Sequence, residues 1–123
     1  MNLSLKIAAL GFLFLLIIIS GIWLAKTGKP YQPAMFNVHK LVSLATIALT
    51  GIVLYGILKT TQGSSVVFVL LMIAVLFLLA LIVTGGMLNL EKPYYNALRT
   101  IHRIVSPLSI LILTGIFWIL LKK

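Results

Sequence analysis

Long intervals without a charged residue most strongly limit what this chain can fold into. Four such intervals, of 19, 18, 31 and 18 residues, follow Lys6, Lys40, Lys59 and Arg103. About 20 apolar residues suffice to cross the hydrocarbon core of a bilayer. The unbroken Leu, Ile and Val runs lack the alternation of a barrel strand, and helices satisfy their backbone polar groups internally. The intervals therefore predict four transmembrane helices, near residues 4–26, 34–59, 66–89 and 95–122.

The composition excludes several classes of protein. Of the 123 residues, 62% are apolar and 9% are charged, whereas about 25% are charged in soluble domains. Ten Lys and Arg residues stand against one acidic residue, Glu91, for a net charge of +9. Because the cations separate apolar runs, we expect a lipid bilayer and no nucleic acid as partner. The absence of cysteine excludes disulfides, thiolate metal sites and covalent haem attachment.

The two halves of the chain repeat each other. A shift of 63 residues places His39 on His102, and eight of the 19 positions from 29 to 47 are identical under it. We interpret the repeat as a duplicated helical hairpin, with two coincidentally similar apolar hairpins as the alternative. Short connections then predict an up-down-up-down four-helix bundle in a single transmembrane domain. The predicted repeats cover residues 1–60 and 64–123.

Away from the loops, a shift of 64 gives the better match. It aligns Ser20-Gly21 with Thr84-Gly85, and Thr50-Gly51 with Thr114-Gly115. We therefore predict one-residue slips near the middles of the spans. Lys6 stands before the first apolar run, and a signal peptide also has a basic residue before its apolar region. The repeat nevertheless indicates that the first span belongs to the fold.

His39 and His102 are the only histidines, and each lies one to two turns into its predicted helix. An up-down-up-down bundle sets the second and fourth helices on a diagonal, so the two side chains would face each other across the axis. Ionisable residues within a span are functional candidates because burying them is costly. The alternative is that each imidazole lies among lipid headgroups beside its basic neighbour, Lys40 or Arg103.

Two imidazoles with one carboxylate and no thiol suit few metal centres. Zinc takes four ligands, or three and a water, and non-haem iron needs a carboxylate beside two histidines. Haem needs only two axial ligands from the protein. The inventory therefore predicts one non-covalent haem b whose iron is held by His39 and His102. A pigment site in which each histidine binds its own chlorophyll is the alternative.

Other residues fit a haem at the level of the histidines. Gly21 and Gly85 lie about 8–9 Å from their helix ends and would let a flat macrocycle approach the backbone, with ordinary helix packing as the alternative. The haem propionates need cations or hydrogen-bond donors near the membrane surface, although such residues also serve as interfacial anchors. The candidates are Arg99, Arg103, Lys40, Tyr31 and Tyr94.

The histidines should also make hydrogen bonds along their own helices. A ligating imidazole usually donates its second N–H to an acceptor, and we expect the carbonyls of Met35 and Leu98, four residues earlier, to accept it. Ser43 and Ser106 follow the histidines by four residues. Their hydroxyls should bond the carbonyl of the histidine itself.

The His-Lys and His-Arg pairs near the start of small-residue-rich apolar spans resemble the haem-ligating helices of membrane b-type cytochromes. The resemblance extends to the cytochrome b561-like group and to the four-helix core of respiratory cytochrome b subunits, and it covers residues 37–50 and 100–114. It implies a haem between histidines on facing helices and electron exchange with quinones. Those proteins usually carry enough histidines for two haems, whereas this chain has enough for one.

We therefore expect a membrane-bound b-type cytochrome that transfers single electrons, more an electron carrier than a stand-alone enzyme. Quinol or a redox protein is the expected partner, and small-residue helix faces would allow an oligomer. The alternative is a cofactor-free membrane scaffold or assembly subunit; a small multidrug-type transporter would need an acidic residue within a span. Six cations on the side of the histidines against four on the other predict that this side is cytoplasmic in a multi-pass cell-membrane protein.

Overall fold

The computed structural model describes residues 2–60, 64–88 and 94–122. Its four helices are α1 (Leu3–Thr27), α2 (Pro33–Thr60), α3 (Ser65–Met87) and α4 (Tyr95–Lys122). Each is long and apolar enough to cross a membrane. The predicted all-α class with four such helices is confirmed, and every helix begins and ends within two residues of its expected position. Glu91 lies outside the described residues.

Two polar side chains cap the starts of α1 and α3, and one glycine follows the end of α1. Asn2 Oδ1 accepts a hydrogen bond from the Leu5 N–H at 2.8 Å, and Ser64 Oγ accepts one from the Val67 N–H at 3.3 Å. These contacts satisfy N–H groups that have no partner inside the first helical turn. Gly28 follows α1 with φ of 68°, a backbone conformation that favours glycine, and so lets the chain leave the helix.

The chain divides into two compact units, residues 1–59 and 60–123. In the first unit α1 and α2 form an antiparallel hairpin. Ser20, near the end of α1, contacts His39 near the start of α2. At the opposite end of the hairpin, Lys6 of α1 lines the same shallow groove as Ile57 of α2.

The second unit is the corresponding hairpin of α3 and α4. The two helices pack against each other, and Thr84, near the end of α3, contacts His102 near the start of α4. Each unit thus holds one of the two predicted helical hairpins. The assembly of the hairpins into one bundle stays a prediction.

The three buried residues of α1 correspond under a shift of 64 to buried residues of α3 or of the position directly after it, whereas Val67 of α3 matches the exposed Leu3. This register agrees with the sequence match of Ser20-Gly21 to Thr84-Gly85. The three buried pairs are Leu10 and Ala74, Ser20 and Thr84, and Leu24 and Leu88.

All four buried residues of α4 correspond instead to buried residues of α2 under a shift of 63, whereas Phe36 and Leu54 of α2 have no fully buried counterpart. The four buried pairs are Thr46 and Ser109, Thr50 and Leu113, Val53 and Ile116, and Ile57 and Leu120. The predicted slip within this pair of helices is therefore wrong: Thr50 is 3% exposed, whereas Thr114, its match under a shift of 64, is exposed. One residue inserted in a helix rotates everything after it by about 100°. The first half of the chain has one residue more than the second between Leu24 and Lys29, which match Leu88 and Lys92. The extra residue lies near the connection between α1 and α2, where it does not rotate a packed face.

Buried hydroxyls lie on the packed faces of α2 and α4 and are bonded to their own helix. Thr46 Oγ1 donates to the Val42 carbonyl at 2.7 Å, and Ser109 Oγ donates to the Val105 carbonyl at 2.8 Å. Such back-bonding removes most of the cost of burying a hydroxyl among apolar side chains. Thr50 Oγ1 is also buried but has no hydrogen-bond partner among the described residues.

Ile116→Ala should destabilise the protein much more than Leu111→Ala. Ile116 is 0% exposed and Leu111 is 67% exposed on the same helix. Truncation at the buried position leaves a cavity and should lower the free energy of unfolding by about 2–4 kcal/mol. Truncation at the exposed position only exchanges contacts with detergent or lipid. Denaturation in mixed detergent micelles, followed by circular dichroism, measures the free energy of unfolding of both variants. Equal decreases in the two variants would contradict the assignment of the packed face.

Candidate functional site

The first histidine lies where α2 crosses the last two turns of α1. His39 is partly buried, and its Nδ1 is 2.7 Å from the hydroxyl oxygen of Ser20. Gly21 follows on α1, and a Cβ placed there would be 3.2 Å from Cε1 of the ring. The Nδ1–Cε1 edge of the imidazole is therefore held against the backbone of the neighbouring helix.

The second histidine has the same surroundings in the other hairpin. His102 is partly buried, and its Nδ1 is 3.0 Å from Thr84 Oγ1 on α3. A Cβ at Gly85 would be 3.0 Å from Cε1 of this ring. A hydroxyl, a glycine and an imidazole edge therefore meet in each hairpin, and two separate helix pairs hold their histidines alike.

The backbone of each histidine is bonded in the predicted way. Ser43 Oγ donates to the His39 carbonyl, and Ser106 Oγ donates to the His102 carbonyl, both at 2.6 Å. Both predictions are confirmed. Each hydroxyl lies one turn after its histidine and fixes the local helix backbone from which the imidazole extends.

The partners of the ring nitrogens are the residues that the sequence analysis missed. Nδ1 of each ring contacts a hydroxyl of the neighbouring helix, that of Ser20 or Thr84. The bonds expected to the carbonyls of Met35 and Leu98 stay predictions. The signal was available, because a hydroxyl residue precedes the matched glycine in both repeats. The expected acceptors lie on the helix of the histidine itself, whereas these hydroxyl contacts join two helices.

The imidazoles occupy the space that a side chain would fill at the glycines next to these hydroxyls. Gly21 and Gly85 contact the rings of His39 and His102, whereas a Cβ at Gly86 would meet nothing within 4 Å. Glycine permits this close approach because it has no side chain. The contact with a haem predicted for Gly21 and Gly85 stays a prediction.

The candidate propionate partners in the first unit form a small aromatic and basic cluster. Tyr31 stacks on Phe36 with ring centroids 5.6 Å apart, and the Lys40 ammonium lies 4.9 Å from the centroid of the Phe36 ring. A cation over an aromatic face is attracted by the ring quadrupole. Lys40 thus lies along its own helix towards Tyr31, on the side where the chain enters α2.

The second unit replaces the aromatic centre of that cluster with a cation. Arg99 stands 63 residues after Phe36, so an arginine occupies the position of the phenylalanine. Arg99 is partly buried, Arg103 is exposed, and Tyr94 is 67% exposed. Arg99 lies one turn before His102 and, among the described cations near either histidine, is the least exposed. Lys92 lies outside the described residues.

Over residues 2–60, 64–88 and 94–122, no three His, Cys, Asp or Glu side chains lie close enough to hold a metal ion together. The ligating groups described are therefore two imidazoles, one in each hairpin. Comparison of the chain with protein-family models, with curated proteins and with solved structures gave no match.

Proposed function

We propose that this chain is a membrane-bound b-type cytochrome that binds one haem b through His39 and His102 and transfers single electrons. The observation that carries the proposal is the recurrence of one arrangement, a hydroxyl on Nδ1 and a glycine against the ring edge, around the only two histidines. Metal-ligating histidines almost always have their second nitrogen hydrogen-bonded, which fixes the orientation of the ring. Histidines that only anchor a helix at the membrane surface need no such support.

Insertion into a membrane is the first part of the proposal, and the distribution of apolar side chains supports it. Large apolar residues are exposed on every helix, among them Phe12 at 61%, Leu41 at 67%, Met72 at 67% and Leu111 at 67%. A soluble monomer rarely exposes so continuous an apolar surface. In a bilayer the same residues face lipid, and the four helices satisfy the backbone internally. We further propose that the two hairpins assemble as an up-down-up-down bundle.

The donor set supports haem over other metal centres. His39 and His102 would supply the two axial nitrogens, and the porphyrin would supply the other four, so no third protein ligand is needed. Arg99, one turn before His102 and partly buried, is the best placed cation for a propionate. When bound, the haem iron would supply one-electron chemistry by cycling between ferric and ferrous states. Because both axial positions would be taken by histidine, electron transfer is favoured over oxygen activation, with quinol or a redox protein as partner.

Optical spectra of the purified protein test this proposal. The chain is expressed with a haem precursor, purified in detergent, and recorded oxidised and after dithionite reduction. We expect low-spin spectra of a bis-histidine haem b and one haem per chain by pyridine haemochrome assay. A colourless protein despite ample haem would contradict the proposal, as would two haems per chain, which would place one on each histidine. Solvent extraction of any pigment distinguishes haem from chlorophyll.

A cofactor-free scaffold or assembly subunit is the second candidate, and exposed glycines favour it. Gly11, Gly51 and Gly56 are exposed within helices, and a Cβ at any of them would meet nothing within 4 Å. Small residues on a helix surface allow a second helix to approach closely in a membrane. This candidate predicts a colourless protein that co-purifies with a larger complex, so the spectra above separate the two.

A further inference from the structure

The hydroxyls of Ser20 and Thr84 each contact a histidine ring nitrogen and one or more carbonyls of their own helix, and each hydroxyl has only one proton. Ser20 Oγ lies 3.1 Å from the Ile17 carbonyl oxygen and 2.7 Å from His39 Nδ1. A carbonyl can only accept a hydrogen bond, whereas a neutral imidazole nitrogen either donates or accepts. Both contacts are satisfied together only when the hydroxyl donates to the carbonyl and accepts from the ring.

Thr84 repeats this arrangement in the second hairpin. Its Oγ1 donates to the Ala80 carbonyl at 2.7 Å and lies 3.0 Å from His102 Nδ1. The Ser20 hydroxyl is farther from its carbonyl than from the ring, whereas the Thr84 hydroxyl is closer to the Ala80 carbonyl than to the ring and also lies 3.4 Å from the Leu81 carbonyl. In both hairpins the same proton positions satisfy these contacts, because the hydroxyl donates to its own helix and accepts from the ring. Hydroxyl residues in apolar helices commonly donate to a carbonyl three or four residues earlier, which leaves their lone pairs for a group on a neighbouring helix.

We propose that Ser20 and Thr84 are positioning residues that set the tautomer of His39 and His102, holding the proton on Nδ1 so that the lone pair of each neutral ring is at Nε2. The use of this lone pair as an iron ligand rests on the proposed function, but the tautomer is a property of the chain alone. Free neutral imidazole can place its proton on either nitrogen, and the hydrogen bond made by one nitrogen decides which form is present.

Gly21 and Gly85 contribute to the same control through sterics. Because they leave room for Cε1 of each ring, the Nδ1–Cε1 edge can come within hydrogen-bond distance of the preceding hydroxyl. Rotation of the imidazole by 180° about its Cβ–Cγ bond would withdraw Nδ1 from that hydroxyl. Each hairpin therefore selects both the orientation and the protonation of its imidazole.

Nitrogen NMR of the protein without added haem tests the proposal directly. Protein labelled with ¹⁵N only at histidine gives signals from two rings, and the shifts of Nδ1 and Nε2 identify which nitrogen carries the proton. At a pH where both rings are neutral, we expect both to be protonated on Nδ1. Either ring protonated on Nε2 in the unmodified chain would overturn the proposal for that hairpin.

Substitution of each hydroxyl shows whether it is the cause. Ser20→Ala should move the proton of His39 towards Nε2 and leave the signals of His102 unchanged, and Thr84→Val should do the reverse. In each variant the histidine of the unchanged hairpin is the control, and its unchanged signals show that this hairpin is intact. An unchanged tautomer in either variant would overturn the role of that hydroxyl.

The chain also supplies its own conservative replacement. Ser20→Thr and Thr84→Ser exchange the residues that the two hairpins already use, so both should keep the proton on Nδ1. Loss of the Nδ1 tautomer in both exchanged variants would show that packing of the side chain, and not the hydroxyl, determines the result.

Haem titration gives a second readout. Ser20→Ala and Thr84→Val should each weaken haem binding by about 10-fold, the lower end of the effect of removing a partner of a ligating histidine. The exchanged variants should bind as the original does. If no variant binds haem but the tautomers behave as expected, the proposed function fails and the tautomer assignment stands. If haem binds normally but both rings of the haem-free protein are protonated on Nε2, the tautomer assignment fails and the proposed function stands.

Discussion

His39→Ala and His102→Ala should each weaken haem binding by more than about 100-fold. Removing a hydrogen-bond partner of a ligand costs about 10–100-fold in metal affinity, and loss of the ligand itself should cost more. Because the chain has only two histidines, neither variant has another imidazole to replace the missing one. Any haem that remains should be high-spin, since one axial position is then empty or holds water. Haem titration and oxidised and reduced spectra measure both effects.

Asn37→Ala and Thr100→Ala are matched controls for these substitutions. Both residues are exposed, each precedes its histidine by two residues, and the two correspond under the 63-residue shift. Neither should change haem binding or the spectrum. Retention of a low-spin spectrum in both histidine variants would contradict bis-histidine ligation. Loss in only one of them would indicate a haem held by a single histidine of this chain.

Gly85→Ala should disturb the site more than any other glycine substitution in α3. The added methyl group would lie 3.0 Å from Cε1 of His102, closer than carbon atoms approach without strain. The ring must move away, which lengthens its contact with the Thr84 hydroxyl. Overpacking of this kind typically costs about 1–3 kcal/mol. We expect a lower unfolding temperature, weaker haem binding, and a shift of the His102 ring signals.

Gly86→Ala is the control for this prediction. Gly86 is adjacent and exposed, and an added Cβ would meet nothing within 4 Å. Alanine favours a helix over glycine by about 1 kcal/mol, so this variant should be neutral or slightly stabilised. Gly21→Ala should lower the unfolding temperature and haem binding less than Gly85→Ala does, since its methyl group would lie 3.2 Å from Cε1 of His39. Equal behaviour of Gly85→Ala and Gly86→Ala would show that the imidazole does not pack on Gly85.

The helices could be predicted from the sequence because their limits are local. A charged residue or a turn sequence ends an apolar run at a position that can be read along the chain, without reference to any other helix. The hydroxyls of Ser43 and Ser106 were predictable for a similar reason. They bond a carbonyl one turn away on the same helix, so the helix geometry alone brings the two groups together.

The register of the repeat could not be read from identities alone. Thr50-Gly51 and Thr114-Gly115 are identical dipeptides, yet Thr50 is buried and Thr114 is exposed. Small and hydroxyl residues are common in membrane-type helices, so short coincidences between two such helices arise easily. The periodic burial that joins Val53 to Ile116 shows which register the packing preserves.

The sequence by itself determined the number and limits of the helices, the similarity of the two halves, and the two histidines as the only imidazoles of the chain. Only the tertiary structure decided which groups hold those imidazoles. α3 is apolar on every side apart from a few Ser, Thr and Gly residues, so its composition does not indicate which face turns towards α4. The rotation and offset of the two helices bring Thr84 to His102, as those of α1 and α2 bring Ser20 to His39. These contacts depend on how two helices pack, which the sequence of α3 alone does not determine.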